Sequence, residues 1–131
     1  MAFVWAQYIK IAEELIAQGD SSLIESAYFR SSVSRAYYGA YCTARDIVEQ
    51  TLGFSVPKGD SHTFVINKFK YSSGRVTRKV GEDLNRLHEK RRKVDYEASA
   101  DIDSTYAKTA LEQAQGIFKL FSDPNVKIDA K

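Results

Sequence analysis

The sequence predicts an all-α, up-and-down bundle of four main helices and one short one. Apolar residues recur at helical spacing over most of the chain. No strand-like alternation persists, and the two prolines, Pro57 and Pro124, both lie where helical patterns have stopped. Helix count, short connections and amphipathic stripes together define a bundle.

The first helix is predicted from Phe3 to Gln18, with Val4, Tyr8, Ile11 and Leu15 beside Ala12 and Ile16 on one face, ended by Gly19. Ser22 with Glu25 three residues on reads as a capping box opening a long second helix that runs to Leu52. Its stripe is Ala27, Ser34, Tyr38, Tyr41, Arg45, Val48 and Leu52, flanked by Ser31 and Tyr37. Such a mixture of small residues and tyrosines points to close helix approach with polar contacts. Gly53 closes it, and Phe54 to Gly59 forms a loop.

Asp60 or Ser61 can cap a short third helix carrying His62, Val65, Ile66 and Phe69, followed by the turn Tyr71-Ser72-Ser73-Gly74. A fourth helix spans Arg75 to Val94 with Val80, Leu84, Leu87, Arg91 and Val94 in register. Within it Gly81 costs about 1 kcal/mol relative to alanine, which marks a tight crossing. Asp95, Glu97, Asp101 and Asp103 form an acidic loop before the fifth helix, Ile102 to Phe121, whose inward residues are Tyr106, Thr109, Ala110, Ala114, Ile117 and Phe121. The domain is expected over residues 1–124, with a loose tail at 125–131.

Composition excludes several classes. The 131 residues are 44% hydrophobic and 27% charged, ordinary for a globular chain rather than a disordered one. A single cysteine, Cys42, allows no internal disulfide, fits a reducing compartment and reads as a small core residue. No stretch approaches the roughly 18 apolar residues that span a bilayer, and Met1 to Lys10 has no secretion leader, so a cytoplasmic protein without a membrane partner is expected. P-loop, glycine-rich nucleotide, zinc and serine-elbow patterns do not occur, so no cofactor or metal is expected. Helix capping accounts for Asp101 and Asp103 as well as a cation would.

Charge is unevenly placed. Residues 68–93 hold ten Lys or Arg against Glu82, Asp83 and Glu89, a local +7 in a chain of net +2. This suits a polyanion such as RNA, although a charge run by itself is more often a solvated helix face. Within that segment Arg91 continues the Leu84–Leu87 stripe, although an unpaired charge on a core face costs several kcal/mol. Asp95, one turn on, is its local partner, and Tyr96 follows at the helix end. One reading is an inert Arg–Asp pair that fixes register. The other makes Arg91 a phosphate ligand, because its guanidinium fork matches two phosphate oxygens, with Tyr96 contacting a ribose. Arg35 and Tyr38 are the second-helix candidates to face Arg91, either as a polar network or as ligand contacts, and Arg92 and Lys93 add positive charge. His88, three residues before Arg91, reaches the same side, while His62 lies on the apolar stripe of the short helix.

The string Tyr28-Phe29-Arg30-Ser31-Ser32-Val33-Ser34-Arg35-Ala36-Tyr37-Tyr38-Gly39-Ala40-Tyr41 resembles the "RSAxSRAYYAAF" signature of prokaryotic HEPN proteins. The likeness continues through Ser61-His62, Phe69 and Gly74 to Leu87–Tyr96, read as "LxxxRxxxDYE", and covers roughly residues 5–121. It implies a helical bundle that forms a homodimer, bringing the motif helices of two protomers together. Many HEPN proteins are metal-independent endoribonucleases, often the toxin partnered by a minimal nucleotidyltransferase antitoxin. Their motif is an arginine, a polar residue and, a few positions on, a histidine. Mapped onto that motif by the resemblance, the arginine is Arg91, the polar neighbour Arg92 and the histidine position Tyr96. With Asp95 as local partner, Arg91, Asp95 and Tyr96 are the catalytic candidates. Arg35, Tyr38, His88, Arg92 and Lys93 are the candidates to bind RNA or nucleotide, His88 by its helical spacing and not by the motif. Tyr96 occupies the histidine position, and a tyrosine near pKa 10 is a poor base at neutral pH. A non-catalytic nucleotide-binding or interaction module working with a nucleotidyltransferase is therefore the alternative, and a purely structural dimerisation unit is a third.

Overall fold

The computed structural model describes residues 2–125, 127 and 128. They form five α-helices and no strand: α1 (Gln7–Gly19), α2 (Glu25–Asp46), α3 (Ser61–Lys70), α4 (Arg75–Tyr96) and α5 (Ser104–Ser122). Helix α2 packs against all four others and is the axis of the bundle.

That central place explains why the predicted stripes needed correction. Helix α2 buries Phe29, Ser32, Val33, Ala36, Tyr37, Ala40, Tyr41 and Ala44 around most of its circumference, whereas Ala27, Ser31 and Arg35 are exposed. A helix surrounded on several sides has no single apolar stripe. In α1 the inward face is Ile9, Ala12, Ile16 and Gly19, and Val4 and Ile11 face solvent. Thr109 of α5 is also exposed, its hydroxyl donating to the Thr105 carbonyl at 2.9 Å.

Several boundaries also shift. Helix α1 starts at Gln7 because Phe3, Trp5 and Tyr8 gather in an aromatic cluster with centroids 5.0–5.7 Å apart. Trp5 Nε1 donates to Asp46 Oδ2 at 2.9 Å, strapping this segment across the end of α2. The Ser22–Glu25 capping box does not form: Ser22 Oγ accepts from the Ile24 amide at 3.1 Å, in the turn before α2. After Asp46 the chain widens into a π-helical turn, Ile47–Thr51, and Gly53 reverses it at φ 76°. Asp60 precedes α3 in the left-handed region, φ 54°, without a side-chain cap. Asp103 does cap α5, accepting from the Tyr106 amide at 2.8 Å.

Gly81 sits at the predicted tight crossing: a Cβ there would lie 2.7 Å from the Phe69 carbonyl carbon and closer still to the Lys70 backbone. Only glycine lets α4 approach the end of α3 so closely. Within the expected tail, residues 126 and 129–131 lie outside the described ones, and Ile128 packs against the core. Among the described residues no helix is long and apolar enough to cross a membrane.

Candidate functional site

Helix α4 carries Leu84 and Leu87 into the core and then presents Arg91 one turn later. The Arg91 side chain is 11% exposed. Its guanidinium carbon lies 5.6 Å from the centre of the Tyr37 ring, 5.4 Å from Tyr38 and 5.9 Å from Tyr96. Three tyrosines therefore cage the cation, an arrangement in which ring quadrupoles attract the charge. Nη1 donates to Asp95 Oδ2 at a long 3.3 Å, and Nε is buried with no hydrogen-bond partner. Burial opposes the charge, but Tyr38 and then Asp95 outweigh it and raise the Arg91 pKa above its ordinary value. The predicted Arg91–Asp95 pair is present; the Tyr37 wall of the cage was not predicted.

Two residues of α2 hold this end of α4 in place. Ser34 Oγ donates to Asp95 Oδ1 at 2.8 Å. Arg30 donates to the carbonyls of Val94 at 2.7 Å, Glu97 at 3.1 Å and Ala100 at 2.6 Å. Carbonyls at a helix C-terminus lack intrahelical partners, and a guanidinium fork supplies several donors at once. Helical spacing puts Ser34 on the α2 stripe without a partner, and gives Arg30 no role. The available signal was spacing: Arg30, Ser34, Tyr37 and Tyr38 recur every three or four positions and share one face.

Below the cage lies a second cluster. The Tyr37 hydroxyl and His62 Nδ1 are 2.5 Å apart. Burial, reinforced by Tyr41, raises the Tyr37 pKa well above its usual value, so the phenol keeps its proton and donates it to Nδ1. The remaining proton of a neutral His62 is then on Nε2. His62 stacks on Tyr41 at 4.2 Å and on His88 at 5.3 Å, with interplanar angles of 14° and 17°. Burial first, then His88, Arg91 and Arg45, push the His62 pKa down to about 4. The His88 pKa is lowered by burial, Arg91 and Arg92. Sequence spacing put His88 near Arg91 but gave no hint that His62, on another helix, stacks against it.

The other candidates divide. Tyr38 faces Arg91 as predicted. Arg35 does not: its guanidinium lies over the Tyr8 ring at 5.0 Å, although it borders a hollow of about 360 Å³ with Tyr38 and Asp95. Tyr96 is 74% exposed and, with Arg92 and Lys93, lines a hollow of about 370 Å³ between Glu89 and Glu97. Part of the basic segment has local work. Lys79 and Arg86 pair with Asp83 at 3.2 and 2.9 Å, and Arg78 donates to the Ser73 carbonyl at 2.7 Å. Cys42 is buried, with its thiol pKa raised by burial.

The protein is thus an all-helical bundle whose second and fourth helices close an aromatic cage over one arginine. The chain belongs to the HEPN domain family, whose model matches residues 5–123. No curated protein and no solved structure matches it. Membership associates the chain with nucleotide- or RNA-related function.

Proposed function

We propose that this HEPN protein binds RNA at Arg91 and cleaves it as an endoribonuclease, in the manner of a toxin. A homodimer and a nucleotidyltransferase antitoxin are the partners of this reading. The observation that carries it is Arg91, whose side chain is 11% exposed and whose caged guanidinium has a buried Nε with no acceptor and a single long bond to Asp95. A buried donor without a partner costs about 1–3 kcal/mol, and a phosphate oxygen would satisfy it. Arg92, Lys93 and the exposed Tyr96 ring extend the surface that a single strand would follow.

The test is binding of a single-stranded oligoribonucleotide under salt titration, with cleavage followed in EDTA, for the wild type, Arg91→Lys and Arg91→Ala. Affinity should fall at least about tenfold in Arg91→Ala, and cleavage should vanish. Equal binding by the wild type and Arg91→Ala would sink the proposal. The second reading, a non-catalytic module working with a nucleotidyltransferase, is favoured by Tyr96 at the motif-histidine position. Tight binding without cleavage would select it.

A further inference from the structure

We infer that His88 is the catalytic base of this site, taking the proton of a ribose 2′-hydroxyl whose neighbouring phosphate is held by Arg91, with His62 and Tyr37 as positioning residues. The inference rests on the RNA-cleaving reading above and supplies the base that Tyr96 does not provide.

Placement comes first. His88 and Arg91 lie three residues apart on α4 and both reach the Tyr37 ring, at 5.4 and 5.6 Å from its centre. Arg91 is also among the charges that lower the His88 pKa, so the two side chains share one neighbourhood, and a ribose whose phosphate sits on Arg91 would lie near the His88 ring. Availability separates the two histidines. His62 Nδ1 is engaged by the Tyr37 hydroxyl, whereas the described residues give the His88 ring nitrogens no hydrogen bond. Orientation is fixed from below: His88 lies on His62 at 5.3 Å and 17°, and His62 is in turn held by Tyr37 and by stacking on Tyr41. A ring stacked on a neighbour that is itself held loses less freedom on forming the reactive complex.

The titratable and charged groups facing the two histidines are Tyr37, Tyr38, Tyr41 and Arg45 of α2 and Arg91 and Arg92 of α4. Burial and the arginines disfavour imidazolium, so His88 is in its proton-accepting form at neutral pH. The ring nitrogen takes the 2′-hydroxyl proton, O2′ forms a bond to the adjacent phosphorus, and the bond from phosphorus to O5′ breaks. Water protonates the departing O5′, and the imidazolium returns its proton to the resulting hydroxide. The products are a 2′,3′-cyclic phosphate and a 5′-hydroxyl end. Arg91 offsets the charge that builds on the non-bridging oxygens.

The experiment uses the full chain and a labelled single-stranded RNA, with binding followed by anisotropy and cleavage from about pH 4 to 9. The wild-type rate should rise with pH through one limb below the ordinary histidine value of 6.5 and then level. His88→Gln should bind within about threefold of the wild type yet cleave about 100-fold or more slowly. His88→Gly should regain rate with added imidazole. His62→Gln should displace the limb, and Tyr96→Phe should keep it. Wild-type cleavage by His88→Gln, a limb near pH 10 removed by Tyr96→Phe, or binding without any cleavage would each overturn the role of His88. The last leaves RNA binding at Arg91 standing, while absence of binding overturns both.

Discussion

Arg30 Nη1 donates to the Val94 carbonyl at 2.7 Å, joining residues 64 positions apart in the chain. Its Nη2 reaches the Glu97 and Ala100 carbonyls, so one side chain terminates α4 and begins the link to α5. The position of Arg91, Asp95 and Tyr96 depends on that helix end.

Replacing Arg30 by alanine should therefore lower stability by about 2 kcal/mol, since charge-assisted bonds to partly buried carbonyls are lost together. Urea unfolding would give the magnitude. Hydrogen exchange should accelerate at residues 95–97 before the rest of α4, and uniform exchange would argue against this capping role.

Asp95 competes with any anion for Arg91. Its side chain is 33% exposed and the contact is long, so Asp95→Asn should cost less than about 1 kcal/mol of stability. RNA affinity should rise by a few-fold at low salt, because a negative charge leaves the site. A fall in affinity would mean that Asp95 holds Arg91 in its binding position.

Gly81→Ala should cost about 3 kcal/mol or more, because the new methyl meets the Phe69–Lys70 backbone rather than a yielding side chain. Thermal unfolding is the readout. An unchanged midpoint would show that the end of α3 moves freely.

His62 makes stability depend on pH with a definite sign. Its folded pKa of about 4 lies below the ordinary 6.5, so the unfolded chain binds the proton more readily. The contribution is fully present above about pH 6.5, declines as pH falls and levels off near 4. Its size is on the order of 2 kcal/mol, given partial exposure. Unfolding of His62→Phe, measured beside the wild type, should decline less over that interval; identical slopes would exclude His62 as the source.

Much of this was legible in the chain. Leu84, Leu87 and Arg91 at spacings of three and four place a charge on a core face, and Asp95 four residues on supplies its partner, because helical periodicity fixes both. Gly81 pointed to a close crossing because a glycine costs a helix interior about 1 kcal/mol relative to alanine. The α2 stripe misled, since a helix packed on several sides buries small and aromatic residues all round and periodicity no longer selects a face.

The sequence by itself determined the helices, the register of α4 and the Arg91–Asp95 pair, all of which depend on residues within a turn of one another. Tertiary structure alone decided that Tyr37 and Tyr38 cage the guanidinium, that Arg30 ends α4, and that His62 lies on His88. Those contacts join separate helices, and their geometry follows from packing depth and crossing angle, which local spacing does not encode.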